Sequence, residues 1–526
     1  MEGYVISDKF TTWNDLEHLI AFPKPLRLSS LSRKSIKDSN QILSKILRSK
    51  KVVYGVNTGF GKLSHVKIDP SKLKQLQLNL IRSHATGVGK PFDHSITRLT
   101  MTLKLMTWSK GYSGVRPKLA TLLLKMINKG ILPIIPRQGS VGASGDLAPL
   151  SHIGCALIGE GTVYFQDRIM PSMKALKEAN LKPIELEAKE GLSLINGTQV
   201  STAIGVKALY KACRLLRTAD IISALSVEAS LSTRAVFKPA IHRLKKHKGQ
   251  TVSAKNIYSI LKQSMIVQSH ENCDKIQDPY CMRCIPHIHG ASWDMFANSE
   301  KIINNEINSV SDNPLIFRNE EVLSSGHFHA EPVAQALDAL SIAISEIGAI
   351  SERRIHHFMK GADDRLPYFG AIDGGLESGF MLAHVTAASL ASENKTLSHP
   401  ASVDSISTSA GQEDIVSMAP WAGRSCLKII DNVQTILSIE LLVASNINFR
   451  FHNNLESGLG LQPLMRLMKQ SNVLSKGDRI FSNDIEIIKK NRSIDATFKP
   501  KMDSLSIDNW IYKWEKTIES LIKMYD

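Results

Sequence analysis

The sequence predicts an all-α protein with a long central helical bundle and a loop-rich N-terminal part. Two observations carry that expectation. From about residue 200 onward apolar residues recur at helical spacing: Val333, Leu337, Leu340, Ile344 and Ile347 fall on one stripe, as do Ile430, Val433, Leu437, Leu441 and Ala444. The first two hundred residues instead alternate short helical patches, such as 73–82, with glycine- and proline-punctuated loops at 55–61, 87–91, 130–145 and 191–197. The segment 203–231 is apolar on nearly every side, which places its helix inside a bundle where several neighbours cover it. A boundary is expected near residue 200 and a softer one near 450. This gives a loop-rich part over 1–200, a helical bundle over 201–450 and a polar, lysine-rich helical segment over 451–526.

With 526 residues the chain exceeds the size of a single core, so two or three subdomains or one large helical assembly are expected. Hydrophobic residues make up 43% and charged residues 22%, a balance that excludes extended disorder. The net charge of +16 raises the question of nucleic acid, but lysines and arginines are scattered, and aromatic residues do not interleave with them. A solvated basic face fits better, with neither nucleic acid nor membrane as partner. No stretch is expected to reach the ~20 apolar residues of a membrane helix. The opening residues show neither a basic leader nor an apolar run, so no secretory signal is expected. Six cysteines in so long a chain form no disulfide framework, which points to a reducing cytoplasm.

The stretch Gly139-Ser-Val-Gly-Ala-Ser-Gly-Asp146 is the most informative in the chain. A phosphate cradle is one reading of such a small-residue loop, but Asp146 stands where a phosphate would be repelled. The other reading is chemical. If the chain bends sharply at Ala143-Ser144-Gly145, the backbone nitrogen of Gly145 can attack the carbonyl of Ala143. Loss of water from that ring and from Ser144 then leaves a methylidene-imidazolone, an electrophile no ordinary side chain offers. Glycine permits the close backbone approach that this requires.

Further motifs accompany that triplet: Val53-Tyr-Gly-Val-Asn-Thr-Gly-Phe-Gly61, Arg82-Ser-His-Ala-Thr-Gly87, Glu190-Gly-Leu-Ser-Leu-Ile-Asn-Gly-Thr-Gln199 and Gln277-Asp-Pro-Tyr-Cys-Met-Arg-Cys284. Ser311-Asp-Asn-Pro-Leu315, Phe328-His-Ala-Glu-Pro332, Ser398-His-Pro-Ala-Ser-Val-Asp404 and Gln412-Glu-Asp414 follow in order. Together, from about residue 50 to 490, the chain resembles the aromatic amino acid lyase family, its histidine-specific branch most closely. The resemblance implies a fumarase/aspartase-like helical fold and elimination of ammonia from an α-amino acid, with L-histidine going to urocanate as the leading case. It also implies a homotetramer whose sites draw residues from several subunits, and no cofactor beyond the ring formed from Ala143-Ser144-Gly145.

Roles follow from the same resemblance. Tyr54 is the expected base for the β-proton; since a free tyrosine titrates near ~10, its surroundings must favour the phenolate. Arg283 is the expected clamp for the substrate carboxylate, its guanidinium fork matching two oxygens at once. Tyr280 shares the face of Arg283 if that stretch is helical and takes an active-site role. Asn196 and Gln277 offer neutral amides for the electrophile's oxygen or the substrate's polar ends, and Phe328 packs beside the electrophile and keeps it dry. Glu413 stands where histidine lyases carry a glutamate and phenylalanine lyases a glutamine. A carboxylate can bond imidazole N–H, whereas beside a phenyl ring it would be an unpaired charge. Ser83-His84 points to the same substrate.

Departures from the family pattern are Gly411 and Ile415 around Glu413, His327 before Phe328, and His287 and His289 in the 285–290 stretch. They bear on substrate choice and leave open a tyrosine or phenylalanine ammonia-lyase, or an aminomutase returning ammonia to the β-carbon. A catalytically silent binding or scaffolding protein is the reading from another class. Cys281 and Cys284 near His287 and His289, and the pair His327 and His329, hold zinc-type ligands. The lyase reaction needs no metal, and none is expected.

Overall fold

The computed structural model of the chain describes residues 3–21, 23–49 and 52–490. Helices dominate throughout, and the strands are short pieces of two to four residues. The all-α expectation therefore holds, with small sheets serving as loop ties. The described residues fall into two compact units. One comprises Met1–Tyr210, Glu300–Asp338 and Pro400–Arg424, the other Lys211–Ser299, Ala339–His399 and Ser425–Asp526. Neither is continuous in sequence. Of the stretch 451–526, helices Gln462–Gln470 and Phe481–Lys490 are described, while 491–526 lies outside the described residues.

In the first unit, helices start and stop where local chemistry dictates. Ser29 caps Ser30–Arg48 by accepting the Ser32 N–H at 3.0 Å. Asp93 caps His94–Ser109 by accepting from the N–H groups of Ser95 and Ile96 at 3.1 and 3.2 Å. Pro117 opens Pro117–Lys129, and Gly130 closes it in the left-handed conformation, φ 70°. Helices Leu73–His84, Leu147–Leu157 and Glu190–Ile195 pack on one another, bringing three loop-bearing ends into one neighbourhood. Buried Ile81, Leu150, Ile153 and Leu194 lie in these helices. Strand Thr162–Phe165 pairs antiparallel with Arg168–Pro171, Val163 opposite Met170, and with Leu132–Pro133 on its other edge.

The second unit is built from long helices. The stripe Leu340, Ile344 and Ile347 is fully buried, as are Ile430, Val433, Leu437, Leu441 and Ala444, so the helical spacing of the sequence reports true core positions. A buried ion pair joins two of these helices: Arg354 Nε meets Glu440 Oε1 at 2.5 Å, and Ser226 and Ser351 donate to the same carboxylate. The guanidinium reaches both carboxylate oxygens, and the hydroxyls give each a second donor in place of water.

One expectation needs correction. Helix Glu331–Met359 is long and apolar enough, by length and composition, to cross a bilayer. Polar residues at Gln335, Asp338 and Ser341 interrupt the run and hid it in the sequence. Most of its apolar stretch is buried inside the protein, as in the core helix of a globular fold.

Candidate active site

The loop 139–146 turns on three glycines with positive φ: Gly139 at 141°, Gly142 at 68° and Gly145 at 76°. Gly142 N–H bonds to Ser140 Oγ, Ser417 Oγ donates to Gly142 O at 2.9 Å, and Met418 N–H to Val141 O at 2.8 Å. Ala143 and Gly145 pair directly across Ser144 in a one-residue antiparallel bridge. The chain is thus folded back on itself at the triplet. A Cβ on Gly145 would lie 2.3 Å from Gly197 O, so only glycine fits.

Gly145 is also bridged in parallel to Gly197, and the next N–H, of Asp146, donates to Gly197 O at 2.8 Å. Asp146 is fully buried. Its two oxygens accept from Ser201 N–H and Ser201 Oγ, each at 2.8 Å. Burial raises its carboxyl to about 6, the Ser201 bonds only partly offsetting the loss of water. Asn196, 3% exposed, closes helix Glu190–Ile195 immediately before Gly197, and its side-chain amide donates to Asn313 O at 2.8 Å.

Ser144 is half-buried and donates its hydroxyl to Glu413 Oε1 at 2.7 Å. The other oxygen of Glu413 accepts from Thr408 Oγ1 at 2.8 Å and Ser409 Oγ at 2.6 Å. Burial pushes this carboxyl up, but the bonds from Ser409, Ser144 and Thr408 and the nearby His84 outweigh it and hold the group below its ordinary value. Thr408 and Ser409 were not singled out in the sequence. Their signal is weak: two hydroxyls shortly before a carboxylate also describe an ordinary polar turn.

His84 ends helix Leu73–His84 and turns Nδ1 onto Leu80 O at 2.8 Å, which places the proton of the neutral ring on Nδ1 and leaves Nε2 with a lone pair. Burial lowers its pKa, while the Leu80 carbonyl and Glu413 pull the other way. Tyr54 lies in the loop before the turn Gly61–Leu63 and accepts the Gly61 N–H at its hydroxyl, at 3.2 Å. That turn packs against Ser409–Gly411, beside Glu413. Gly55 lets the loop close tightly: φ is 65°, and a Cβ there would meet Leu192 at 2.4 Å. Phe328 is half-buried, and His329 next to it bonds Ile415 O through Nε2 at 3.3 Å, tying that segment to the one carrying Glu413.

The first unit therefore gathers Tyr54, His84, Ala143, Ser144, Gly145, Asn196, Phe328 and Glu413. Gln277, Tyr280 and Arg283 belong to the second. There, Tyr280–Arg283 is a single helical turn, and the Arg283 guanidinium sits 4.7 Å from the centre of the Tyr280 ring. Tyr280 is 70% exposed, and Gln277 is exposed as well. Arg283 Nε is buried without a hydrogen-bond partner. Among the described residues no carboxylate lies within ion-pair distance of Arg283, so its fork is open to an anion. No group of three or more histidine, cysteine, aspartate or glutamate side chains is placed to hold a metal among the described residues.

A helical scaffold that folds an Ala-Ser-Gly turn against the backbone of Gly197, beside a carboxylate and an imidazole, is the architecture of an ammonia-eliminating enzyme. A profile of the aromatic amino acid lyase family matches residues 11–470, and the chain belongs to that family and is a lyase. Histidine ammonia-lyase of Gloeobacter violaceus is 44% identical over 464 residues, 88% of this chain and 90% of that protein. The crystal structure of histidine ammonia-lyase from Trypanosoma cruzi superposes with a TM-score of 0.85 at 38% identity, covering 93% of each chain. Phenylalanine aminomutase of Pantoea agglomerans superposes with a TM-score of 0.88 at 32% identity, covering 93% of this chain and 98% of that one.

Proposed function

We propose that the protein eliminates ammonia from L-histidine to give urocanate. The observation that carries this reading is Glu413, a half-buried carboxylate held beside Ser144 by hydroxyls alone. Such a carboxylate suits a ligand that brings an N–H donor of its own, as imidazole does and a phenyl ring does not. The identity to histidine ammonia-lyases over nine-tenths of the chain supports the same substrate.

The residues of the triplet fit a self-formed methylidene-imidazolone: the backbone doubles back between Ala143 and Gly145, and the space that a Cβ would need is filled by Gly197. Such a ring supplies an electrophile for the substrate's amino end and makes ammonia a better leaving group. The side chains do the rest. Glu413 accepts the imidazole N–H and orients the ring. Arg283 binds the carboxylate through two parallel N–H bonds, fixing the β-carbon. Tyr54 takes the β-proton, and the Gly61 N–H aimed at its oxygen supports negative charge there. Tyr280 flanks Arg283, Asn196 and Gln277 hold polar ends in place, His84 lines the imidazole end, and Phe328 excludes water.

The working form is a homotetramer whose chains share sites, which suits the exposure of Tyr280 and the unpaired Arg283 fork. None of the six cysteines forms a disulfide, which suits the cytoplasm. The test is direct. L-Histidine incubated with the enzyme is expected to yield urocanate and ammonia, Ser144→Ala is expected to abolish this, and wild type is expected to weigh two waters less than its sequence. Absence of urocanate from a correctly dehydrated chain would overturn the substrate. A β-amino acid product would reassign the reaction to an aminomutase.

A further inference from the structure

Helix His94–Ser109 sends Lys104 into the interior of the first unit, where it is 1% exposed. Its amino group donates to Asn196 O at 2.6 Å and to Ser193 O at 3.2 Å. Trp108, one turn further along the same helix, directs Nε1 at the same Ser193 O at 3.4 Å. Nearby Lys189 is paired with Asp312 at 3.0 Å, whereas among the described residues Lys104 has no carboxylate within ion-pair distance. The two backbone carbonyls are its partners.

A buried amine gives up its hydration, and an unbranched apolar side chain would fill the same space without that loss. What the amine adds is direction. The two carbonyls it fixes lie in the last turn of helix Glu190–Ile195 and at its C-cap, the segment that delivers Asn196 and Gly197, and Gly197 is the residue to which Gly145 is bridged. We propose that Lys104 is a positioning residue for the electrophile-forming turn: by holding the Asn196 carbonyl, it keeps the Asn196–Gly197 peptide seated against Gly145. This rests on reading Ala143-Ser144-Gly145 as a self-processing triplet.

The charged groups around Lys104 are Asp312, Lys189 and Asp146. Burial, the largest influence, lowers its amino group to about 7 against the pull of the two aspartates. Ammonium and free amine both carry N–H donors, so the two bonds persist on either side of neutrality.

The test is Lys104→Met in the full chain, followed by intact mass, kcat, KM and melting temperature. The folded variant is expected to show incomplete loss of two waters, or a kcat per dehydrated chain ~10- to 100-fold below wild type, with KM changed far less. A purely structural lysine would lower the melting temperature and the yield of folded enzyme, yet leave the folded chains fully dehydrated and kcat per dehydrated chain at the wild-type value. That result overturns the proposal. If Lys104→Met does not fold, Trp108→Phe removes only the neighbouring donor to Ser193 O and keeps an aromatic ring in place. A kcat reduced ~2- to 5-fold with unchanged KM is then expected, and unchanged kcat overturns the proposal. A wild-type chain of full mass would instead sink the self-processing reading, an outcome visible before any variant is made.

Discussion

In the unprocessed chain Glu413 accepts from Ser144, Thr408 and Ser409; dehydration of Ser144 leaves Thr408 and Ser409 on Oε2 and frees Oε1 for the substrate. Glu413→Gln removes the charge and turns one acceptor into a donor facing hydroxyls that now donate. With a charge-assisted bond contributing about 1.5–3 kcal/mol, kcat/KM for L-histidine is expected to fall ~10- to 100-fold while the mass stays two waters low. Steady-state kinetics and mass spectrometry on one preparation check both halves. Gly145→Ala acts earlier: a methyl 2.3 Å from Gly197 O blocks the approach of Gly145 N to Ala143 C, and a chain of full mass is expected. The triplet and Glu413 were legible because their chemistry is carried by residue type in a fixed local order. Asp146 with Ser201 was not, since nothing in either neighbourhood of the sequence says that residues 55 positions apart share two hydrogen bonds. Lys104 was hidden for the same reason, and its burial leaves a thermodynamic mark. The folded chain holds the amine near 7 against an ordinary 10.5, so between those pH values the unfolded chain binds a proton that the folded chain does not. Unfolding free energy should therefore rise with pH from 7 towards 10.5, and Lys104→Met should flatten that rise. Denaturant midpoints of the two proteins across this window decide it, an identical slope speaking against the assignment.

Elements were easiest to read where apolar residues repeat at helical spacing over several turns, as in Glu331–Met359 and Ala419–Phe451. They were hardest to read where a tertiary contact overrides local preference. Helix Glu190–Ile195, which delivers Asn196, begins from Lys189 in the left-handed conformation, φ 67°, an uncommon place for a lysine. Lys189 is held there by Asp312 at 3.0 Å and Ser193 Oγ at 2.8 Å, both buried with it. No propensity scale encodes that arrangement. Helix His94–Ser109 is the opposite case, with Asp93 as a local start signal that also bonds Lys207 at 2.6 Å. Burial pushes the Asp93 carboxyl up, but Lys207 and the bonds from Ser95 and Ile96 pull it down to about 2. Asp93→Ala is expected to cost about 1–2 kcal/mol of stability through the lost cap, read as a lower denaturation midpoint near neutral pH. The difference from wild type should shrink as pH drops from about 4 towards 2, because wild-type Asp93 loses its own charge there. A difference that stays constant over that range would assign the effect to packing alone.

At the scale of the whole molecule, helical periodicity says which residues are inside but not which helices are neighbours. Each unit is assembled from three separated stretches of chain, with divisions near 210, 300, 338, 400 and 424, and several fall within continuous helices such as Gln199–Ala229 and Ala419–Phe451. No change of composition marks a division inside a helix. The proposed division of labour falls along the same lines: the electrophile triplet and Glu413 are in one unit, the carboxylate clamp in the other. If the tetramer builds each site from different chains, two inactive variants can repair one another. Ser144→Ala chains keep Arg283, and Arg283→Met chains keep the triplet. When the two are co-expressed in equal amounts and assemble at random, roughly a quarter of sites should receive Ser144 from one chain and Arg283 from another. Activity near that fraction of wild type is expected in the mixed tetramers, against almost none in either variant alone. Sites completed within one chain would give no recovery at any mixing ratio, because every chain would then carry one of the two lesions in its own site.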